Sequence, residues 1–96
     1  MTRLNGRRWV VNVLSAQNSG NVVEPSLTLM KKGYHVYLRK AKVKGEDWTR
    51  LRVGFFRDER KAAFEKKKIM FMLHLKNGSW VVKISEDELR KFGGYY

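Results

Sequence analysis

The sequence predicts an α+β domain of β-α-β-β-α-β order. This is a split βαβ arrangement, with two helices on one face of a four-stranded antiparallel sheet. Three observations predict it. Four segments alternate in polarity with the period-2 spacing of strands. Two segments between them carry helical spacing with start and stop residues. Turn-forming residues separate the segments where this order needs them.

Trp9-Val10-Val11-Asn12-Val13-Leu14-Ser15 is the first strand, bounded by Gly6 and by Ser19-Gly20-Asn21. Asn21 is the expected N-cap of a helix running to about Lys32, with Val22, Leu29 and Met30 as its apolar stripe. Pro25 falls early in that helix, where a missing N–H costs little, and Gly33 stops it. His35 to Val43 is the second strand, Lys44-Gly45-Glu46-Asp47 a hairpin loop, and Trp48 to Phe55 the third strand. Gly54 marks a bulge or a close backbone approach. Asp58 caps the second helix, which runs through Ala62, Ala63 and Ile69 toward Phe71. After the Asn77-Gly78 turn, Trp80 to Ile84 is the fourth strand. Ser85-Glu86-Asp87-Glu88 reads as a capping box that opens a short C-terminal helix through Leu89 and Phe92.

The chain of 96 residues suits one domain, expected over 9–92, with a flexible segment at 1–8 and a tail at 93–96. No apolar run approaches the roughly 18 residues of a membrane span, and no apolar stretch follows the basic N-terminus as in a signal peptide. If the parent protein is exported, this chain is expected to be a piece of it. Cysteine is absent, which removes disulfides and thiolate metal sites. A net charge of +12 points to a polyanionic partner: nucleic acid, anionic lipid or an acidic glycan.

Faces follow from alternation. Leu51 and Val53 set the inward side, with Val11, Val13, Val82 and Ile84 expected beside them under the helices. The other face should be open and carry Val10, Asn12, Leu14, His35, Tyr37, Arg39, Trp48, Arg50, Arg52, Val81 and Lys83. Trp48, Arg50 and Arg52 make that face cationic, with a large ring to stack on. Such a surface suits an extended polar ligand, a sugar chain or a nucleic acid strand.

Trp48-Thr49-Arg50-Leu51-Arg52-Val53-Gly54-Phe55-Phe56 resembles the third strand of the SPOR domain, the sporulation-related repeat that binds bacterial peptidoglycan. That family shows an aromatic residue and then Arg-Val-Arg-Val-Gly-Pro-Phe there, so Phe55 stands where proline is usual. Val11-Asn12-Val13-Leu14-Ser15 is similar to its first-strand Val-Gln-Val-Gly-Ser. Asn21-Val22, Leu29 and Gly33-Tyr34 are similar to its first helix and the Gly-Tyr after it, Ala62 to an alanine of the second helix, and Trp80-Val81-Val82-Lys83 to the closing strand. The resemblance covers about Trp9 to Ile84. Asn12 replaces glutamine, Leu14 replaces glycine and Ala16 replaces a bulky aromatic.

The resemblance implies non-catalytic binding of glycan strands stripped of stem peptides. It also implies targeting of a parent protein to the division septum, on the periplasmic side of a bacterial envelope, with divisome or envelope proteins as further partners. Removal of a stem peptide leaves a lactyl carboxylate, an anion that arginine can pair. The glycan-binding residues expected on this basis are Asn12, Ser15, Tyr37, Arg39, Trp48, Arg50, Arg52 and Lys83. The isolated domain is expected to be a monomer.

No catalytic residue, metal site or cofactor is expected. Glu46, Asp47, Asp58, Glu59 and Glu86 to Glu88 sit in turns and helix starts, not as a pair flanking a sugar. His35 and His74 lack metal spacing. Trp9 and Trp80 read as core or rim, and Lys66-Lys67-Lys68 as a solvated helix face. One alternative is an RNA-binding domain of the same ferredoxin-like order, which would want stacked aromatics on the first and third strands. Another is a protein-interaction module docking on the sheet.

Overall fold

The computed structural model describes residues 6–93; the sequence expectations for 1–5 and 94–96 lie outside them. The chain runs β1 (Trp9–Ala16), α1 (Val23–Lys31), β2 (His35–Val43), β3 (Glu46–Phe56), α2 (Glu59–Leu73), β4 (Trp80–Lys83) and α3 (Glu86–Gly93). The four strands form one antiparallel sheet in the order β2-β3-β1-β4. This is the predicted split βαβ topology, with the expected short C-terminal helix present as α3.

Local chemistry explains the boundaries. Chain entry into α1 is a 3₁₀ turn at Ser19–Val22, capped by the Asn18 carboxamide, which accepts from the Gly20 N–H at 2.9 Å. Asn21, the expected cap, lies within that turn; Asn18 caps the turn, and α1 itself starts after Val22 without a side-chain cap. The β2–β3 hairpin closes on Lys44 and Gly45, both at positive φ (51° and 81°), the backbone that a two-residue turn matched to strand twist requires. Glu46 and Asp47 therefore belong to β3 rather than to the loop. Asp58 caps α2 as expected, its Oδ1 accepting from the Lys61 N–H at 2.8 Å. Before β1, Arg8 exchanges backbone and side-chain hydrogen bonds with Ile84 at 2.8 Å each.

Two cores flank the sheet. Val11, Val13, Leu51 and Val53 meet Val22 and Leu29 of the first helical segment and Ala62 and Ile69 of α2. On the opposite face, Val10, Tyr37, Phe55 and Ile84 meet Leu89 of α3, with Val82 and Phe92 beside them. The second core corrects the expectation of an open face: α3 covers half of it. Leu89 and Phe92 lie three residues apart on one side of α3, while Asp87, Arg90 and Lys91 stay exposed.

Strand registers correct three placements. Val81 pairs with Val11 and Val82 with Val10, so Val81 packs under the helices, and Val82 and Ile84 lie on the α3 side. The expected alternation of β4 is inverted by one residue, which moves every side chain to the other face. Val13 is an extra residue between the pairs Asn12–Arg52 and Leu14–Leu51. This bulge turns Leu14 toward the helix-side core and brings Ser15 opposite Arg50. A compensating shift between Trp9 and Val11 accompanies the placement of Phe55 in the second core. Gly54 makes the close approach read from the sequence: a Cβ there would stand 3.0 Å from Val10 Cγ1.

Candidate functional site

The half of the sheet face beyond α3 is an open groove of about 470 Å³ lined by Ser15, Trp48, Arg50, Asn77, Gly78 and Trp80, with Leu14 and Val43 at its rim. β1 supplies Ser15 past its bulge, β3 supplies Trp48 and Arg50 by alternation, and β4 and its preceding turn supply Trp80 and Asn77. The Arg50 guanidinium carbon sits 5.7 Å from the centroid of the Trp80 ring. That distance suits a cation–π contact. Arg50 Nε is shielded from solvent and has no hydrogen-bond partner among the described residues. Leaving a buried donor unpaired costs about 1–3 kcal/mol. Trp80 is 39% exposed. Two indoles and a guanidinium thus border one groove, with Ser15 and Asn77 as short polar groups.

Beside the groove, the face under α3 is a buried polar network. Arg52 is 4% exposed. Its Nη1 donates to Glu88 Oε2 at 2.7 Å and its Nε to Asn12 Oδ1 at 3.0 Å. The Tyr37 hydroxyl donates to the same Glu88 oxygen at 2.7 Å, and Arg39 Nε stands 2.9 Å from Glu88 Oε1. Burial, followed by the hydrogen bond to Glu88, pushes the Tyr37 phenol well above its usual range, so it remains a donor. Asn12 joins the two regions, its Nδ2 donating to Ser15 Oγ at 3.4 Å. Glu88 lies in the box predicted from sequence, but only half of the box forms. Its N–H donates to Ser85 Oγ at 3.1 Å, while its carboxylate turns to the arginines.

The eight residues expected to bind glycan therefore separate. Ser15, Trp48 and Arg50 line the groove. Asn12, Tyr37 and Arg52 are buried under α3, and Arg39 is half-buried at its edge against Glu88. Lys83 is on the other side of the sheet, paired in register with Trp9, its ammonium 5.9 Å from that ring. The same one-residue inversion of β4 that moved Lys83 away placed Trp80 in the groove, where the sequence suggests core or rim. The signal for Trp80 and Asn77 is the Asn-Gly turn, which ends beside the β1 bulge; it places them only once the β1–β4 register is known.

Among the described residues, no group of three or more His, Cys, Asp or Glu side chains could hold a metal ion. No helix among them is long and apolar enough to cross a membrane. No protein-family model, no curated protein and no solved structure matches the chain.

Proposed function

We propose that this domain binds bacterial peptidoglycan glycan strands without catalysis, preferring strands that have lost their stem peptides, and so carries a parent protein to the cell wall or division septum. The observation that supports the reading best is the groove in which Arg50 lies between Trp48 and Trp80. Sugar rings present C–H faces that stack on indoles. A lactyl carboxylate exposed by peptide removal accepts charge-assisted hydrogen bonds, worth about 1.5–3 kcal/mol when well placed. The Arg50 guanidinium, which lines the groove, is the cation to meet it. A sugar still bearing its peptide lacks that anion and adds bulk, so attraction and clash act in the same direction. Ser15 and Asn77 supply the short polar contacts, while Asn12 positions Ser15 from beneath. The periplasmic side of the envelope is the compartment this ligand implies.

The test is retention of the purified domain on sacculi. Amidase-treated sacculi should hold more protein than untreated ones, and Trp48→Ala should reduce both. Equal retention on the two would remove the preference for denuded strands. Absence of retention on either would remove the glycan reading.

A further inference from the structure

The outward line of α2 has no role in the groove and lies on the opposite side of the sheet from it. α2 packs inward through Ala62 and Ile69. Residues on its far side at helical spacing are Arg60, Phe64, Lys67, Lys68 and Phe71, all exposed, with Lys61 at the flank. Phe71 is 86% exposed and Phe64 58%. The two rings are seven residues apart, about 10.5 Å along the axis, and point the same way. Lysines bracket Phe64: Lys61 and Lys68 place their ammonium groups 5.5 and 5.7 Å from its ring centroid. Those two lysines also flank the Glu65 carboxylate, at 3.2 and 3.8 Å. Arg60 and Lys67 make no ion pair among the described residues.

We propose that this face of α2 docks on an anionic lipid bilayer, with Phe64 and Phe71 entering the headgroup–acyl boundary and Arg60, Lys61, Lys67 and Lys68 lying among the lipid phosphates. The chemistry selects this occupant. A single apolar ring on a surface is ordinary, but two in line on an exposed helix crest set among basic residues suit insertion into an anionic membrane interface. Long lysine and arginine stems let the charges stay at headgroup level while the rings go deeper. Each basic residue near an anionic surface adds an attraction that fades within a Debye length. A convex helix crest with protruding rings offers no groove for a nucleic acid strand, and buried phenyl rings would gain nothing against phosphates. The sheet groove stays free on the other side, so glycan and lipid can be bound together.

The test is co-sedimentation of the full chain with vesicles of phosphatidylcholine alone and of equal parts phosphatidylglycerol and phosphatidylcholine. The chain should sediment with the anionic vesicles at physiological salt and remain in solution with the zwitterionic ones. Phe64→Ser/Phe71→Ser should lower affinity for anionic vesicles by roughly tenfold or more, given the transfer free energy of a phenyl ring. Lys67→Glu should lower it as well, and Trp48→Ala should leave it unchanged. Undiminished binding by the double phenylalanine variant, with its circular dichroism unaltered, would overturn the proposal. So would no binding to anionic vesicles, or single-stranded RNA binding that the double variant abolishes while vesicle binding persists.

Discussion

Arg50 and Arg52 are two residues apart on β3 and point to the same face, yet their surroundings assign them opposite work. Arg52 is held by Glu88 and Asn12 in a site closed by α3. Arg50 lies against Trp80 in the open groove. Removing one member of a buried ion pair costs about 3–5 kcal/mol when it strands the other charge. Here Glu88 keeps Arg39 at 2.9 Å, but the buried Asn12 Oδ1 loses its donor and a cavity is left. Arg52→Ala should therefore lower the urea midpoint strongly. Arg50→Ala should shift stability by about 0.5 kcal/mol or less while weakening retention on denuded sacculi. Leu51→Ala, in the helix-side core, should cost about 2–5 kcal/mol and serves as the destabilised control. A melt in which Arg50→Ala unfolds the domain and Arg52→Ala spares it would invert this assignment. The alternation Trp48-Thr49-Arg50-Leu51-Arg52 is enough to place both arginines on one face. It carries no information on what covers that face, because the cover is Glu88 and Leu89, more than thirty residues away in sequence.

At the scale of elements, the same limit appears in different form. Strands, helices and turns follow from local chemistry: Asp58 caps α2 and Gly33 follows α1 within a residue or two of expectation. Register does not, since it is fixed by which strands meet, and the inversion of β4 and the bulge at Val13 both arise from pairing with β1. The link between β2 and α2 makes a pH-sensitive clamp that the sequence does not announce. Just before β2, the Tyr34 hydroxyl donates to Glu65 Oε1 of α2 at 2.7 Å. Burial opposes ionisation of Glu65, but the hydrogen bonds from Tyr34 and Lys61 and the nearby charge of Lys68 outweigh it, so its carboxyl titrates below the usual carboxylate range. A carboxyl depressed on folding contributes stability above its unfolded pKa, about 4.3, which is lost as pH falls through the lower folded value. Tyr34 is pushed the other way, to about 12, by burial and then by its bond to Glu65. Its contribution is present below pH 10 or so and is lost as pH rises through the folded value. Urea midpoints measured from acid to alkaline pH should show both limbs. Glu65→Gln should flatten the acid limb, and Tyr34→Phe should reduce the alkaline one, the remainder belonging to the buried Tyr37 phenol. An acid limb unchanged in Glu65→Gln would assign the acid sensitivity to other carboxylates.

For the molecule as a whole, the excess of 21 basic over 9 acidic side chains sets a long-range field that attracts any polyanion. That attraction says little about what is recognised, and the two components differ in how salt affects them. Binding that rests on charge alone releases counterions for each phosphate neutralised, so its affinity falls steeply with salt and ignores sequence. The proposed glycan binding in the groove would add stacking on Trp48 and Trp80 and hydrogen bonds from Ser15, which mobile ions screen far less. The groove also lacks the aromatic pair on β1 and β3 that an RNA platform of this topology would use: its β1 members are Leu14 and Ser15, and Tyr37 on β2 is sealed beneath Phe92 with ring centroids 4.7 Å apart. Titrations with single-stranded RNA and with denuded glycan, each at low and physiological salt, should therefore diverge. RNA affinity should collapse between the two salt conditions and be indifferent to Trp48→Ala. Glycan affinity should fall only modestly with salt and be lost with Trp48→Ala. RNA binding that stays tight at physiological salt and disappears in Trp48→Ala would transfer the groove from a sugar ligand to a nucleic acid.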